Sequence, residues 1–296
     1  MKKRSTAHPP RATVIVPAYN AEKTIKECVH SLLALDYPKN RVEFLLVDNG
    51  STDKTHEILN SYPDKICVLN ESKQGPAAAR NAGLSRARGE VVAFTDADCR
   101  VDPKWLRFLV GPLRDERVGA VGGLILSKNP SLPVEKFGDI IHDHRRAIRE
   151  FTPPYVISMN WASRLSTLRA AGGFDESFLR GEDVDLSYRL FRRGFRLAYE
   201  PRARVFHGNP GTLPGLFKKG YAHGFYSVKI LKVHRDFLRK CGHRRYDWRT
   251  YAALCSRLKD YLRDTRRRES LYHFLLDSGK KIGKWVGSLR FFHIDI

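Results

Sequence analysis

Short apolar, β-branched runs alternate with helical patterns early in the chain, and few fold classes are compatible with this alternation. The runs lie at residues 13–16, 44–47, 66–69 and 91–94, and each has the length of a buried strand. Ile25, Val29 and Leu32 follow the first run with helical spacing, and segments 54–61 and 77–87 also have helical patterns. The alternation predicts an α/β fold with a central, mostly parallel sheet.

Polar side chains follow three of these runs at the point where each predicted strand ends. Tyr19 follows the first run, Asp48 the second, and Asp96 and Asp98 the fourth. Ligands of parallel α/β sheets bind beside the carboxyl ends of the strands. We therefore expect a ligand site at this edge.

The Asp96-Ala97-Asp98 segment is the strongest chemical signal. Two carboxylates separated by one residue can hold a hard divalent cation that neutralises a diphosphate. An isolated pair of this kind is more often a solvated turn.

Upstream, Asp48 could accept hydrogen bonds from a base or a ribose, whereas Asp53 has the position of a helix N-cap.

Arg80 lies in the first turns of a helix that Gly75-Pro76 would begin. It could be a surface charge, or it could pair with a phosphate or with the carboxylates of Asp96 and Asp98.

A second acidic cluster begins the helical pattern at residues 181–190. Glu182 and Asp183 lie at its start, where a carboxylate could act as a general base, while Asp185 could simply favour the helix dipole. His207 ends a later strand-like run and is either structural or a metal ligand.

The net charge of +21 indicates polyanionic partners. Residues 211–296 hold 20 Lys and Arg against 7 Asp and Glu. We expect a polar lead-in at 1–11, a catalytic domain at 12–210 and a basic, mainly helical C-terminal extension at 211–296. Segment 280–286 mixes cations with apolar residues, which favours an anionic membrane surface. The alternative is a solvated helical face packed on the catalytic domain.

Cysteine usage and hydropathy indicate the compartment. The five cysteines form no CxxC pair, which favours a reducing environment. The N-terminal residues lack the apolar stretch of a secretory signal, and no apolar run approaches the roughly 18 residues of a membrane span. We expect a cytoplasmic protein, with peripheral attachment to the cytoplasmic face of the membrane as an extension of that expectation.

From about residue 13 to residue 207 the chain resembles the family 2 glycosyltransferases of the GT-A fold, which has a Rossmann-like nucleotide-binding domain. The matching stretches, in order, are VIVPAYNAE, LLVDNGSTDKT, GPAAARNAGLSRARGEVVAFTDAD, GGFDESF and GEDVDLSYRLFRRG. Five ordered matches over two thirds of the chain are far more specific than any single motif.

The resemblance implies a set of donor-binding roles. Pro17, Tyr19 and Asp48 would hold the nucleotide base, with Tyr19 stacking on it. Arg80 would orient the base or the carboxylates, and Asp96 would contact the ribose. Asp98 and His207 would bind a divalent metal, Mn²⁺ or Mg²⁺.

The resemblance also implies an inverting transfer to an acceptor hydroxyl, with Asp183 as general base and Glu182 contacting sugar hydroxyls. Asn160 and Trp161 occupy the stretch that lines the sugar and acceptor in relatives, although Ser158 and Trp161 depart from the usual pattern. The QxxRW motif of processive synthases is missing from the sequence, so a single-addition enzyme is expected.

The expected donor is a nucleotide-diphosphate sugar, with UDP as the first choice of nucleotide. The expected acceptor is a glycan or a lipid-linked molecule in glycolipid or surface-polysaccharide synthesis. A nucleotidyltransferase is the alternative enzyme. A basic nucleic-acid-binding protein is the non-enzymatic alternative, but no nucleic-acid partner is expected because no reader motif accompanies the charge. An oxidoreductase is disfavoured because no GxGxxG follows the first run.

Overall fold

An eight-stranded sheet crosses the protein. The structure is a computed structural model that describes residues 9–243 and 249–291, so most of the predicted N-terminal lead-in, residues 1–8, lies outside the described residues. The strands are β1 (Ala12–Ala18), β2 (Val42–Asp48), β3 (Cys67–Asn70), β4 (Val91–Phe94), β5 (Cys99–Val101), β6 (Val118–Ser127), β7 (Trp161–Arg164) and β8 (Arg196–His207). Their order across the sheet is β3-β2-β1-β4-β7-β6-β8-β5.

The four predicted strands pair in parallel as β3-β2-β1-β4, and β6 pairs in parallel with β8. The antiparallel pairs are β4 with β7, β6 with β7 and β5 with β8. Val14 and Val16 of β1 pack on one face of the sheet, and Ile15 between them packs on the other. Burial on both faces explains why β1, β2 and β4 are continuous apolar runs. The prediction of an α/β fold with a mostly parallel sheet is confirmed.

Thirteen helices are present among the described residues. They are α1 (Ile25–Leu33), α2 (Thr55–Asn60), α3 (Pro76–Arg86), α4 (Trp105–Leu109), α5 (Pro133–Lys136), α6 (Gly138–Ile141), α7 (His144–Arg149), α8 (Leu165–Ala170), α9 (Glu182–Arg192), α10 (Leu213–Val233), α11 (Arg235–Lys240), α12 (Arg249–Arg263) and α13 (Arg268–Phe291). The predicted helices of the first third correspond to α1, α2 and α3. Within the described ranges, no helix is both long enough and apolar enough to span a bilayer.

The C-terminal helices α10 and α13 run parallel and approach each other through glycines. Gly220 and Gly224 of α10 face Gly279, Gly283 and Gly287 of α13, and the four-residue spacing puts each set on one side of its helix. A Cβ on Gly224 would overlap the carbonyl oxygen of Lys280, and one on Gly283 would overlap that of Tyr221. The two backbones can therefore come this close only because these positions carry no side chain.

Two contacts join this helical pair to the rest of the protein. Leu216, Tyr272 and Leu276 pack with Val134 and Phe137 in a separate apolar cluster. Asp185 of α9 and His234, at the end of α10, form a buried hydrogen bond of 2.8 Å between Asp185 Oδ1 and His234 Nε2. Asp185 thus serves packing as well as the start of its helix. The domain boundary predicted at residue 210 falls in the loop between β8 and α10, and it stays a prediction.

We expect Gly224→Ala to destabilise the protein. Alanine in a helix is normally more favourable than glycine by about 1 kcal/mol, but here its Cβ would force the backbones of α10 and α13 apart. The net loss in unfolding free energy should be about 1–3 kcal/mol. Chemical denaturation measures it, with Gly208→Ala as the control because a Cβ on Gly208 meets only open space. A Gly224→Ala protein as stable as the wild type would contradict the packing described.

Candidate functional site

A cleft of about 510 Å³ lies at the carboxyl ends of β1 and β4. This volume falls within the roughly 300–1,000 Å³ common for small-molecule sites. It is lined by Pro17, Tyr19, Asn20, Ala21, Glu22, Lys23, Thr24, Asp53, Asp96, Ala97 and Asp98. Four residues expected to bind the donor are therefore in one cleft: Pro17, Tyr19, Asp96 and Asp98. Sequence reasoning missed Glu22 and Lys23, which follow the first motif and carry no distinctive spacing.

Tyr19 and Asp48 have different exposures. Tyr19 is 54% exposed, so its ring is accessible for stacking. Asp48 is buried and is not among the lining residues. Its Oδ1 accepts a hydrogen bond from the Ser51 backbone N–H at 3.0 Å, and its Oδ2 lies 3.0 Å from His56 Nδ1. In this structure, Asp48 shapes the turn beneath the cleft, and His56 is a partner that the sequence did not reveal.

Asn49 connects the end of β2 to the start of α3. Its amide nitrogen donates to the carbonyl oxygens of Glu71 and Lys73, and its Oδ1 accepts from the Gly75 backbone N–H. These bonds fix the loop before α3 and thereby the orientation of Arg80 on its second turn.

Arg80 is the buried centre of the site. Its Nη2 donates to Asp96 Oδ1 at 2.8 Å, and its Nη1 donates to Glu182 Oε1 at 2.6 Å. Of the two interpretations open from the sequence, a surface charge is excluded because the side chain is only 3% exposed. One guanidinium thus joins the carboxylate pair after β4 to the acidic start of α9.

The two carboxylates at the start of α9 have different environments. Burial raises the pKa of Glu182 to about 7, the negative charge of Asp183 adds to this effect, and Arg80 opposes it. Asp183 is half-buried, and its Oδ2 accepts hydrogen bonds from the backbone N–H and the hydroxyl of Ser158 at 3.0 and 3.4 Å. Asp183 is therefore oriented but still accessible, whereas Glu182 is enclosed with Arg80.

Asp98 and His207 come together through strand pairing. In the antiparallel pair of β5 and β8, Cys99 lies opposite His207, and His207 Nε2 is 3.4 Å from Asp98 Oδ2. The Asp98 side chain is 48% exposed. His207 is nearly buried, its ring meets the His142 ring edge-on with centroids 5.2 Å apart, and its Nδ1 has no hydrogen-bond partner among the described residues.

One carboxylate and one imidazole are a suitable partial ligand set for Mn²⁺ or Mg²⁺. Among residues 9–243 and 249–291, no group of three or more His, Cys, Asp or Glu side chains is arranged to hold a metal. Magnesium sites commonly use one or two carboxylates and complete the coordination with water and substrate phosphates. The pair of Asp98 and His207 therefore fits a metal that is held jointly with a diphosphate.

Asn160 and Trp161, expected at the sugar and acceptor site, are fully buried. The Asn160 side chain accepts from Trp105 Nε1 and donates to the carbonyl oxygens of Leu124 and Ala203. Trp161 Nε1 donates to Ser163 Oγ at 2.7 Å. All of these polar atoms have hydrogen-bond partners inside the protein. We therefore infer that neither side chain lines the sugar and acceptor site. Their neighbour Ser158 contacts Asp183 instead.

Comparison with known proteins identifies the family. The sequence profile described as "Glycosyl transferase family 2" matches residues 13–170, which is more than half of the chain. The chain belongs to glycosyl transferase family 2. The resemblance stated from the motifs is thereby confirmed.

Individual relatives of this family 2 chain agree with the assignment. It is 34% identical over 233 residues to the "Pre-mycofactocin glycosyltransferase" of Mycobacterium tuberculosis, an alignment that covers 76% of this chain and 48% of that protein. It is 28% identical to "Glycosyltransferase AglE" of Haloferax volcanii, with 78% of this chain and 77% of that one covered. The chain thus spans about half the length of the mycobacterial relative.

A solved structure confirms the GT-A fold. "Mannosyltransferase PcManGT from Pyrobaculum calidifontis in complex with GDP-Man and Mn2+" superposes with a TM-score of 0.66 at 21% identity, covering 95% of this chain and 88% of that one. The similarity extends beyond the catalytic motifs, because the covered share includes most of the C-terminal helices.

We expect Arg80→Met to lower the unfolding free energy by about 3–5 kcal/mol, because the variant leaves the buried Glu182 and the partly exposed Asp96 without their counter-charge. Urea denaturation measures the change. Arg86→Met is the matched control, since Arg86 is exposed on the same helix and its loss should change stability by less than about 0.5 kcal/mol.

The double variant Arg80→Met/Glu182→Gln should recover part of the loss, because it removes one of the two unpaired charges. Equal effects of Arg80→Met and Arg86→Met would contradict the role given to the buried guanidinium.

Proposed function

We propose that this family 2 chain transfers a single sugar from a nucleotide-diphosphate sugar to an acceptor hydroxyl, with inversion at the anomeric carbon. The observation that carries the proposal is the shared guanidinium of Arg80, which bonds Asp96 in the cleft and Glu182 next to Asp183. The guanidinium thus links a carboxylate of the cleft to the acidic start of α9, where the proposed base lies. Family membership supports the same reaction.

The donor would lie along the cleft from Tyr19 to Asp98. The exposed Tyr19 ring would stack on the base against Pro17, and Asp48 would support the turn below it. Asp96 would accept a hydrogen bond from the ribose, and its bond to Arg80 would hold it in place. UDP is our first choice of nucleotide, and GDP is the second because PcManGT was solved with GDP-Man.

Asp98 and His207 would hold Mn²⁺ or Mg²⁺ together with the diphosphate. When bound, the ion neutralises negative charge on the diphosphate. PcManGT was solved in complex with Mn²⁺, which supports testing that metal first. The exposed Asp98 carboxylate lines the cleft, where it can meet the diphosphate. His207 Nε2 lies 3.4 Å from Asp98 Oδ2 and orients that carboxylate.

Asp183 would act as the general base. Its Oδ2 is oriented by Ser158, and it would take the proton as the acceptor oxygen attacks the anomeric carbon. The acceptor oxygen attacks on the face opposite the diphosphate, and the bond between that carbon and the diphosphate oxygen breaks. An α-linked donor therefore gives a β-linked product. Glu182 is enclosed with Arg80, so we revise its role from contacting sugar hydroxyls to positioning the guanidinium.

Binding and turnover of two variants test this function. Calorimetry with UDP, GDP and dTDP, with and without Mn²⁺, should show metal-dependent binding of one nucleotide to the wild type, and Asp98→Ala should abolish it. Asp183→Asn should still bind that nucleotide but should lose activity by about 10²–10⁴-fold, because only the base is removed.

Product analysis provides the decisive control in this experiment. Release of a nucleoside diphosphate identifies glycosyl transfer, whereas pyrophosphate would identify the nucleotidyltransferase alternative. No binding of any nucleotide to the wild type would contradict the proposal.

We also propose that α13 attaches the protein to an anionic membrane surface, where a lipid-linked or glycan acceptor of surface-polysaccharide or glycolipid synthesis would be presented. Ile282, Trp285, Val286 and Leu289 are exposed and spaced as one helical stripe, with Trp285 at 55% and Leu289 at 78% exposure. By helical spacing, Lys281 and Arg290 border the stripe. Apolar side chains with cations beside them suit the interface of an anionic leaflet.

Co-sedimentation with vesicles tests the attachment. The wild type should bind phosphatidylcholine vesicles that contain phosphatidylglycerol, bind pure phosphatidylcholine much less, and dissociate as salt rises. Trp285→Ser/Leu289→Ser should reduce binding by about tenfold or more, since each buried apolar side chain contributes roughly 1.5–3 kcal/mol. Leu262→Ser is the control, because Leu262 is similarly exposed on α12 but lies off the stripe. Equal binding to both vesicle types would overturn the proposal.

A further inference from the structure

Lys219 of α10 is a largely buried cation near the carboxylate pair. Its amine donates one hydrogen bond, to Asn209 Oδ1 at 3.4 Å. Within residues 9–243 and 249–291, no carboxylate oxygen lies within 4.0 Å of this amine. An enclosed ammonium group normally has an anionic partner, because burial of an unpaired charge is costly. Lys219 therefore has capacity for an anion that the protein itself does not supply.

One acidic and one basic residue influence the charge of Lys219. Burial lowers the pKa of Lys219 to about 8, the charge of Asp98 acts to raise it, and Arg180 acts to lower it. His223, on the next turn of α10, is neutral at physiological pH, since burial and the charge of Lys219 lower its pKa to about 3. Burial and Lys219 likewise hold the pKa of His142 well below its ordinary value. The contacts place Asp98 in the same region: Lys219 bonds Asn209, which follows His207 by two residues, and His207 Nε2 lies 3.4 Å from Asp98 Oδ2.

Lys219 is held in this position by preformed contacts. Thr212 accepts a hydrogen bond from the Gly215 backbone N–H and caps α10, and the glycines of α10 fix the helix against α13. Asn209 is fixed in turn, because its amide nitrogen donates to Ser127 Oγ at 3.0 Å. Lys280 of α13, another lysine whose pKa is lowered to about 8, differs because it is 41% exposed and has a carboxylate partner, Asp277, at 3.3 Å.

We propose that Lys219 binds the diphosphate of the donor, so that the C-terminal helical region contributes a phosphate-binding residue to the catalytic site. The inference rests on the proposed function and names a further contact of the same site. Asp98 marks where the diphosphate would lie. The anionic oxygens of a diphosphate would give the Lys219 ammonium the anionic partner that the described residues do not provide.

The chemistry gives this ammonium a role in turnover as well as in binding. As the acceptor oxygen bonds to the anomeric carbon, the electron pair of the broken bond passes to the oxygen of the leaving nucleoside diphosphate. Negative charge therefore grows on that group during the reaction. A cation that is already in place stabilises the growing charge without reorganisation. Lys219 should thus raise kcat in addition to nucleotide affinity.

Calorimetry with the nucleoside diphosphate that the wild type binds, UDP or GDP, and with its monophosphate tests this contact. Lys219→Met keeps the length of the side chain and removes its charge. We expect it to weaken diphosphate binding by about tenfold or more, the value of a charged hydrogen bond, and to weaken monophosphate binding much less. Lys219→Arg should restore most of the affinity. Lys218→Met is the matched control, because Lys218 is the exposed neighbour on the same helix.

Each outcome has a distinct meaning. Diphosphate affinity of Lys219→Met within twofold of the wild type would overturn the inference and leave the proposed function intact. Equal losses for both nucleotides, together with a lower unfolding temperature, would identify a structural lysine and would also overturn it. A wild-type protein that binds neither nucleotide would count against the proposed function itself, and the inference would fail with it.

Discussion

The hydrogen-bonded triad of Asp96, Arg80 and Glu182 is the interaction on which the site depends. It connects a turn after β4 with the first turn of α9, 86 residues later in the sequence. The buried Glu182 and the partly exposed Asp96 would repel each other without a shared cation. The planar guanidinium can bond both at once, which an ammonium on a flexible stem would do less well. The separation between the cleft and the start of α9 is therefore set by the size of one side chain.

The sequence predicted the fold where each element carried its own local signal. β1, β2 and β4 were predicted within a few residues because each is a continuous apolar run buried on both faces. β3 begins one residue later than predicted, and it lies at the edge of the sheet with its first residue, Cys67, exposed. The acidic start of α9 was predicted from its composition. The helix-dipole role considered for Asp185 proved incomplete, because its buried partner His234 lies far along the chain.

Side-chain orientation was the part of the site that the sequence could not supply. The motif around Asn160 indicated a segment that lies next to Asp183, because Ser158 bonds Asp183. It did not indicate the direction of the Asn160 side chain, which points into the protein toward Trp105. The approach of His207 to Asp98 depends on the register of β5 with β8, and no residue pattern encodes that register. Likewise, the glycine spacing in α10 and α13 is visible in the sequence, but it indicates only that each helix has a small face. It does not identify which helix packs there.

That glycine contact determines how the excess positive charge is distributed. If α10 and α13 carried ordinary side chains at these positions, the helices would stand farther apart, and α10 could not both meet α13 and hold Leu216 and His234 against the catalytic region.

By helical spacing, Lys219 lies on the same side of α10 as Leu216 and Ile230, which faces the catalytic region, whereas the stripe of Ile282, Trp285 and Leu289 is turned away from the glycines of α13. One pair of close-packed helices thus separates these cations. Lys219 is enclosed beside the proposed diphosphate position, whereas Lys281 and Arg290 lie beside the apolar stripe. Lys219 and the apolar stripe belong to the same pair of helices. The orientation of the proposed membrane surface relative to the cleft therefore follows from the packing of the glycines of α10 and α13, which recur every four residues.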